Sequence, residues 1–502
     1  MAHATLPAAL ASHAASRPHA IALYFEGQAI SYGDLWRRIE AATQTLMALG
    51  LKVEATDSCG PRVAYLGLNS PAQLVLLVAL QRLGAVGLPL NYRLAPAEFS
   101  AILLHAQASL LVADEMHAAV ASSLLPDLRT VAAALFDGTA SLRHAGVHIT
   151  EPPPSEPALL VYTSGTTGLP KGALHTQAAL VANCQISVHA HALQASDHVL
   201  TALPLFHVGG LCIQTLPALY AGAMVSLHSR FEAGAWLAAL REQRPSLSLM
   251  VPATLRAVLD HADFSRTDVS SLRMLSAGSS TIPTALIAPW HARGVPVCQI
   301  YGATETGPVS IYQQAHETMD TPGGVGSAGR AGIGVKVRLV DEGADVAQGS
   351  VGELWIKAPN VMQQYWREEQ HSAFEQGWFH TGDLAHCNAQ GIYTVVGRSK
   401  DMIISGGENI YPAELENVLA SCAQIADCAV IGQSDARWGE VAVAVIVCQP
   451  HATISEQDVM QLFNGQLAKF KHPRRVVFAT SLPKTATGKV NKPQLIAQLD
   501  IT

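Results

Sequence analysis

Residues 62–91, RVAYLGLNSPAQLVLLVALQRLGAVGLPLN, set the terms for any fold of this chain. An apolar run is followed by Asn69 and Ser70 as caps, Pro71 at the first helical position, an apolar helix, Gly84 as a stop and a second apolar run. This is a strand, helix, strand unit. The pattern recurs: Ser31 caps a helix whose apolar residues Leu35, Ile39, Ala42 and Leu46 return at helical spacing until Gly50, and EFSAILLHAQASLLVAD again reads helix then strand. Such alternation predicts an α/β chain with a mainly parallel sheet covered by helices.

Strands are predicted at SLSLMVP, LRMLSAG and VPVCQIYG, the last two ending in the polar loops SAGSS and YGATETG. Ligands of α/β sheets collect at such carboxyl ends. Between about 323 and 365 the pattern becomes strand-rich, predicting a β subdomain, and beyond GRSKD (397–401) the chain restarts as a separate α+β domain, with a capped helix at SEQDVMQLFNGQLA. Division into domains 1–397 and 398–502 follows, with no internal repeat or low-complexity linker.

A hydrophobic fraction of 49% against 14% charged residues excludes a disordered chain. The net charge of −7 carries no nucleic-acid footprint. No apolar run approaches the roughly 20 residues of a membrane span. The N-terminus lacks the charged region of a signal peptide, and the 8 cysteines form no C-x-x-C pair, so a soluble, cytoplasmic protein with reduced thiols is expected. The sequence does not decide between a monomer and a homo-oligomer.

Five polar stretches are candidates for chemistry. VYTSGTTGLPKG (161–172) nearly spells a Walker phosphate loop, but Pro170 replaces its second glycine and Gly172 follows Lys171. Its glycines serve either as plain turns or to bring backbone N–H groups to phosphate oxygens, with Thr163, Ser164, Thr166 and Thr167 as hydroxyl donors and Lys171 as charge. In YGATETG, Thr304 and Glu305 are either a helix cap and first-turn acid or ligands of phosphate and Mg²⁺. In GWFHTGDLA, Asp383 is either a turn aspartate or a ribose ligand. GRSKDMIISGGENIYPAELE and LPKTATGKVNK, each readable as solvated surface, complete the series.

Together and in this order, these stretches resemble the motifs of the adenylate-forming superfamily of acyl-CoA and aryl-CoA synthetases, luciferases and adenylation domains. The resemblance spans nearly the whole chain. It implies a large N-terminal domain of two helix-flanked sheets plus a β subdomain, and a small mobile C-terminal domain. It also implies the reaction: a carboxylate attacks the α-phosphorus of MgATP, pyrophosphate leaves, and the thiol of coenzyme A then takes the acyl group.

By that resemblance Lys489 is the lysine of the adenylation step, Thr304 a phosphate ligand and Glu305 the Mg²⁺-associated acid. Asp383 holds the ribose, Arg398 lies near ribose and phosphate, and Tyr301 and Gly302 lie against adenine with Gly278 and Ser279 at its edge. Gly165 belongs to the phosphate loop. Lys400 is the hinge, and Gly406, Gly407, Glu408 and Trp438 face the pantetheine arm of CoA. The acyl pocket is lined by His207, Val208, Gly209, Gly210, Ala277, Ile300, Val309 and Ser310, with His207 beside the carboxylate.

That lining is small and uncharged and favours a fatty acyl (short- or medium-chain) or aromatic acid. No acid occurs from Pro204 to Gln214, which disfavours an amino acid substrate. Arg256 keeps a malonate-type dicarboxylate as a minority reading. Transfer to a separate carrier protein is a further alternative, although the chain's end soon after Lys489 leaves no room for a fused carrier. A non-catalytic nucleotide binder is disfavoured by Lys171, Glu305 and Lys489 together, and a kinase or phosphatase reading predicts ADP rather than AMP.

Overall fold

The computed structural model describes residues 3–51, 59–138, 151–163, 171–278, 282–320, 326–368, 373–405, 408–435, 437–485 and 488–499. Among them the unit read first forms as predicted. Strand Arg62–Leu66 leads to helix Pro71–Leu83, with the Ser70 hydroxyl accepting from Gln73 N–H and Gly84 in the left-handed conformation (φ 71°), and then to strand Val86–Leu90 in parallel register. Every helical residue through Gln81 is buried, because this helix is enclosed between two sheets.

Those sheets have nine and seven strands among the described residues. The nine-stranded sheet pairs strands Val297–Tyr301, Met274–Gly278, Leu247–Met250, His198–Thr201, Met224–Leu227 and Ile21–Phe25 in parallel, with antiparallel strands at both edges. One core fills the space between the sheets, joining Val63 and Val112 of one to Val199 and Val225 of the other through the enclosed helices. Further helices cover the outer faces, packing Trp236 and Trp290 on one side and Phe99 and Ile102 on the other. A large N-terminal domain of helix-flanked sheets and a smaller C-terminal domain with its own five-stranded sheet and core are thus present.

Two expectations are corrected, and one of the two readings left open at Asp383 and at Thr304 is removed. The β subdomain does not stop near residue 365: its antiparallel sheet begins at Lys336–Asp341 and runs on through Trp378–Cys387 and Tyr393–Arg398, whereas Gln364–Tyr365 pairs with Lys171–Thr176 of the seven-stranded sheet. Asp383 therefore sits on a strand, beside the left-handed Gly382 (φ 68°) at a break in register, and not in a turn. Thr304–Thr306 is one 3₁₀ turn whose cap position is Ala303, so Thr304 caps no helix. The capped helix after Ser455 ends at Gln461, with Gly465 taking a left-handed conformation soon after.

The loop between Tyr301 and Ile311 is held by two buried asparagines. Asn360 Nδ2 donates to the carbonyls of Thr306 (2.7 Å) and Val309 (2.9 Å). Asn183 Oδ1 accepts from Val309 N–H (3.1 Å), while its Nδ2 donates to Cys212 O (2.7 Å). Two loop walls are thereby tied to one helix. Replacing Asn360 by Ala removes a buried donor from the Val309 carbonyl and leaves Thr306 O only the Ser310 hydroxyl at 3.4 Å, and a loss of about 1–3 kcal/mol is expected in urea unfolding; an unchanged midpoint would show that the loop does not depend on it.

Candidate active site

The carboxyl ends of the parallel strands of the nine-stranded sheet open toward the β subdomain, and the predicted residues gather there. Tyr301 ends strand Val297–Tyr301 and its hydroxyl donates to Asp383 Oδ2 (2.7 Å). Arg398, the cross-strand partner of Asp383, places Nε 2.6 Å from Oδ1. Both carboxylate oxygens are thus engaged. Burial pushes the Asp383 carboxyl above its ordinary range, opposed by Arg398 and by the Tyr301 hydrogen bond, and burial beside Asp383 pushes the Tyr301 phenol far up. Gly302 has to be glycine, since a Cβ there would lie 1.7 Å from Pro308 O.

Glu305 stands on the 3₁₀ turn, its Oε1 accepting from the Tyr365 hydroxyl (2.8 Å) and its backbone carbonyl from Met362 N–H (2.8 Å). Thr304 beside it is buried. Lys171, at the start of strand Lys171–Thr176, pairs with Glu368 and lies 4.8 Å from the Tyr365 ring centroid. Thr163 reaches Lys171 O only at 3.5 Å. Ser164, Gly165, Thr166, Thr167, Ser279, Gly406 and Gly407 lie outside the described residues. Gly278 closes strand Met274–Gly278 against Ile300 O, where a Cβ would come within 2.8 Å.

Lys489 enters this cleft from the C-terminal domain. It sits in a tight turn in which Thr485 N–H donates to Lys489 O (2.7 Å), and its ammonium feels Arg398, Asp383, Glu305 and His207. Burial, then Arg398, lowers its pKa, and the two acids oppose the shift. Its residue surface is nonetheless solvent-exposed. Protein atoms crowd the ammonium while part of the residue stays open to solvent.

His207 has the same character, partly accessible yet enclosed. Burial, then the charge of Lys489, lowers its pKa to about 4. Gly209 N–H donates to its Nδ1 (3.0 Å), so the neutral ring carries its proton on Nε2. His207 is therefore an uncharged donor at neutral pH.

The remaining predicted residues divide. Ile300 and Val309 join a cluster with Leu203, Ile213 and Leu249, and Ser310 is buried with its hydroxyl 3.4 Å from Thr306 O. Val208 and Ala277, expected to line the pocket, instead pack into the core between the sheets and the core under the outer helices. Strand alternation explains Ala277, which shares a face with Leu275 while Ser276 faces the other way. Lys400 is exposed on the 3₁₀ turn Ser399–Asp401. Glu408 is exposed, and Trp438 lies between the Arg437 and Arg474 guanidiniums at 4.9 and 5.3 Å.

Sequence reading missed Tyr365, Glu368, Asn183 and Asn360. Only the aromatic and acidic cluster in QYWREE offered a signal, and nothing in its spacing ties it to Glu305 or Lys171. Among the described residues no group of three or more metal-ligating side chains occurs, and no helix is long and apolar enough to cross a membrane. Glu305 keeps Oε2 clear of the Tyr365 hydrogen bond, and a carboxylate oxygen of this kind suits Mg²⁺.

The sequence matches the AMP-binding enzyme family over residues 10–366 and the AMP-binding enzyme C-terminal domain over residues 414–489. It is 44% identical to an indoleacetate-CoA ligase of Aromatoleum aromaticum over 97% of each chain, and 38% identical to a feruloyl-CoA synthase of an Amycolatopsis species over 95% of this chain and 96% of that one. The solved structure of ATP-bound MatB from Rhodopseudomonas palustris covers 99% of this chain and 98% of its own at a TM-score of 0.89 and 30% identity. With Asp383, Arg398 and Glu305 gathered beside a neutral histidine and a lysine from the C-terminal part of the chain, and with these matches over nearly its whole length, the chain belongs to the AMP-binding enzymes, among the AMP-forming acyl- and aryl-CoA ligases.

Proposed function

We propose that the acid activated here is an aromatic or arylalkanoic carboxylate. The observation that carries this reading is the uncharged apolar cluster of Leu203, Ile213, Leu249, Ile300 and Val309, on the segments that adjoin His207 and Tyr301. Such a lining accepts a flat apolar body and offers no partner to a second charge. The indoleacetate and feruloyl ligases among the relatives support an aromatic acid over an aliphatic one. Arg256, the residue a dicarboxylate would need, is half-exposed on helix Pro252–Leu259.

The roles follow from geometry and charge. The Tyr301 face holds adenine, Asp383 accepts from the ribose hydroxyls, and Arg398 and Lys171 take phosphate oxygens, Lys171 exchanging Glu368 for the pyrophosphate. Glu305 holds Mg²⁺ of MgATP. His207 Nε2–H and Lys489 orient the substrate carboxylate, one of whose oxygens attacks the α-phosphorus as the bond to pyrophosphate breaks. No protein nucleophile is required, since positioning and charge neutralisation carry an in-line displacement.

The domain boundary is placed at 397/398, with Lys400 as pivot. Turning the C-terminal domain about it would withdraw Lys489 and bring Glu408 and Trp438 toward the pantetheine of CoA, whose sulfur attacks the acyl carbon as AMP leaves. A cytoplasmic location is proposed with this activity.

With MgATP, CoA and a panel of acids, AMP and pyrophosphate should form, and kcat/KM for arylacetic or cinnamic acids should exceed that for octanoate or malonate by about tenfold, the worth of a poorly matched apolar pocket. ADP as product would sink the ligase reading, and malonate as best substrate the aromatic one. Arg256→Ala should leave the aromatic acid's kcat/KM unchanged.

Lys489→Ala should slow adenylation by about 10²-fold or more, as loss of one preorganised charge does, while thioester formation from supplied acyl-adenylate changes little. Equal loss in both half-reactions would remove the assigned role.

His207 titrates at about 4 when folded, against an ordinary 6.5. The unfolded chain therefore binds the extra proton between these values, and the stability present above pH 6.5 is lost as pH falls toward 4. The Tm of the wild type should accordingly drop more across that window than that of His207→Gln; parallel curves would refute a neutral His207.

A further inference from the structure

Lys489 reaches the cleft from a short hairpin whose own hydrogen bonds set its shape. Lys484 and Val490 pair across it, Thr485 N–H donates to Lys489 O (2.7 Å), Asn491 N–H donates to Pro483 O (2.8 Å), and Gly488 takes a left-handed conformation (φ 84°). None of these bonds sets the direction in which the hairpin points. Leu482 and Leu495, on either side of it, pack with Ala429, Ile431, Val443 and Val445 of the C-terminal sheet, and Val490 lies against that cluster. Apolar burial is non-directional, so it holds the hairpin on the sheet without fixing its rotation or slide.

Directional contacts occur at the edge of that sheet. Strand Ile425–Asp435 pairs with Gly439–Cys448 on one side and, among the described residues, with no strand on the other. Such an edge presents open backbone groups. At Val430 both are taken: Glu416 Oε1, from helix Pro412–Ala420, accepts from Val430 N–H (2.9 Å), and Lys492 Nζ donates to Val430 O (2.9 Å) while lying 3.0 Å from Glu416 Oε1. Lys492 stands three residues after Lys489. Five residues before Lys489, Lys484 Nζ pairs with Asp427 of the same strand at 2.6 Å.

One ammonium on each arm of the hairpin therefore holds the strand edge, at points about 10 Å apart at the usual rise of a strand. The Lys492 and Glu416 side chains are only 20% and 28% exposed, so water screens this pair less than an ordinary surface pair. Glu416, Val430 and Asp427 all belong to the C-terminal sheet and its helix, so the lysines tie the hairpin to its own domain and not to the wall it faces.

We propose that Lys492 is a positioning residue for adenylation, assisted by Lys484: by anchoring the hairpin to the strand edge it fixes the angle and depth at which the Lys489 ammonium enters the cleft. The inference rests on the role assigned to Lys489 above and adds how that role is held. A cation that meets a developing negative charge is effective only when its place is fixed beforehand, and a shift of about 1 Å caused by a change remote from the chemistry can cost about 10²-fold.

The test times the two half-reactions separately, with the best acid of the panel: pyrophosphate release with MgATP, and thioester formation from supplied acyl-adenylate and CoA. Lys492→Met keeps the stem but not the ammonium, and should slow pyrophosphate release by about tenfold while thioester formation stays within about twofold of wild type. Lys492→Arg, whose guanidinium can meet both the carbonyl and the carboxylate, should recover most of the lost rate. General loss of stability lowers both half-reactions together, so the split is a readout that a merely structural role does not move. If Lys492→Met does not fold, Lys484→Met reads the same split from the other arm.

An unchanged pyrophosphate release in the folded methionine variant, an equal loss in both half-reactions, or a failure of Lys492→Arg to recover rate would each overturn the proposal. If Lys489→Ala is selective for adenylation and Lys492→Met is not, the inference alone fails. If Lys489→Ala itself slows both half-reactions equally or neither, the reading beneath it fails and the inference falls with it.

Discussion

The carboxylate of Asp383 is the point on which the site's geometry depends. One oxygen accepts from Tyr301 at the end of a parallel strand, and the other faces Arg398 on the neighbouring antiparallel strand. A buried carboxylate is tolerated only when paired and hydrogen-bonded. Satisfying it fixes the large sheet and the β subdomain relative to one another. The backbone supports this placement, because Gly382 N–H donates to Glu353 (3.0 Å) and Thr381 Oγ1 donates to Leu354 O (2.6 Å).

Charge in the cleft is balanced rather than accumulated. Arg398 and Lys489 face Asp383 and Glu305, and Lys171 faces Glu368. A chain of net charge −7 can thus present three cations to a polyanionic nucleotide without a broad basic surface. In the function proposed above, the same balance would make ligand entry an exchange of partners, with phosphate oxygens replacing carboxylates.

Chemistry changes character across His207. On one side lie charges and aromatic hydroxyls; on the other the described packing is uncharged, an apolar cluster of Leu203, Ile213, Leu249, Ile300 and Val309. A histidine kept uncharged by burial and by a neighbouring ammonium suits that boundary, since it can donate to a carboxylate without adding a cation to the apolar side.

By itself the sequence determined the local elements and the reaction class. Caps, stops and apolar periodicity depend on neighbours a few residues apart, so Ser31, Ser70 and Gly84 behave as read, and the parallel strands at 247–250, 274–278 and 297–301 form where expected. The order of five motifs identified the chemistry. Only the tertiary structure decided which side chains share a cleft. Strand pairing beside a register break puts Asp383 on a strand, where the sequence leaves a turn aspartate and a ribose ligand both open, and alternation turns Ala277 toward a core. Contacts such as Tyr365 with Glu305 over 60 residues, or Asn183 with Val309 over 126, leave no trace in local pattern because each requires two distant segments to be packed before either side chain has a partner.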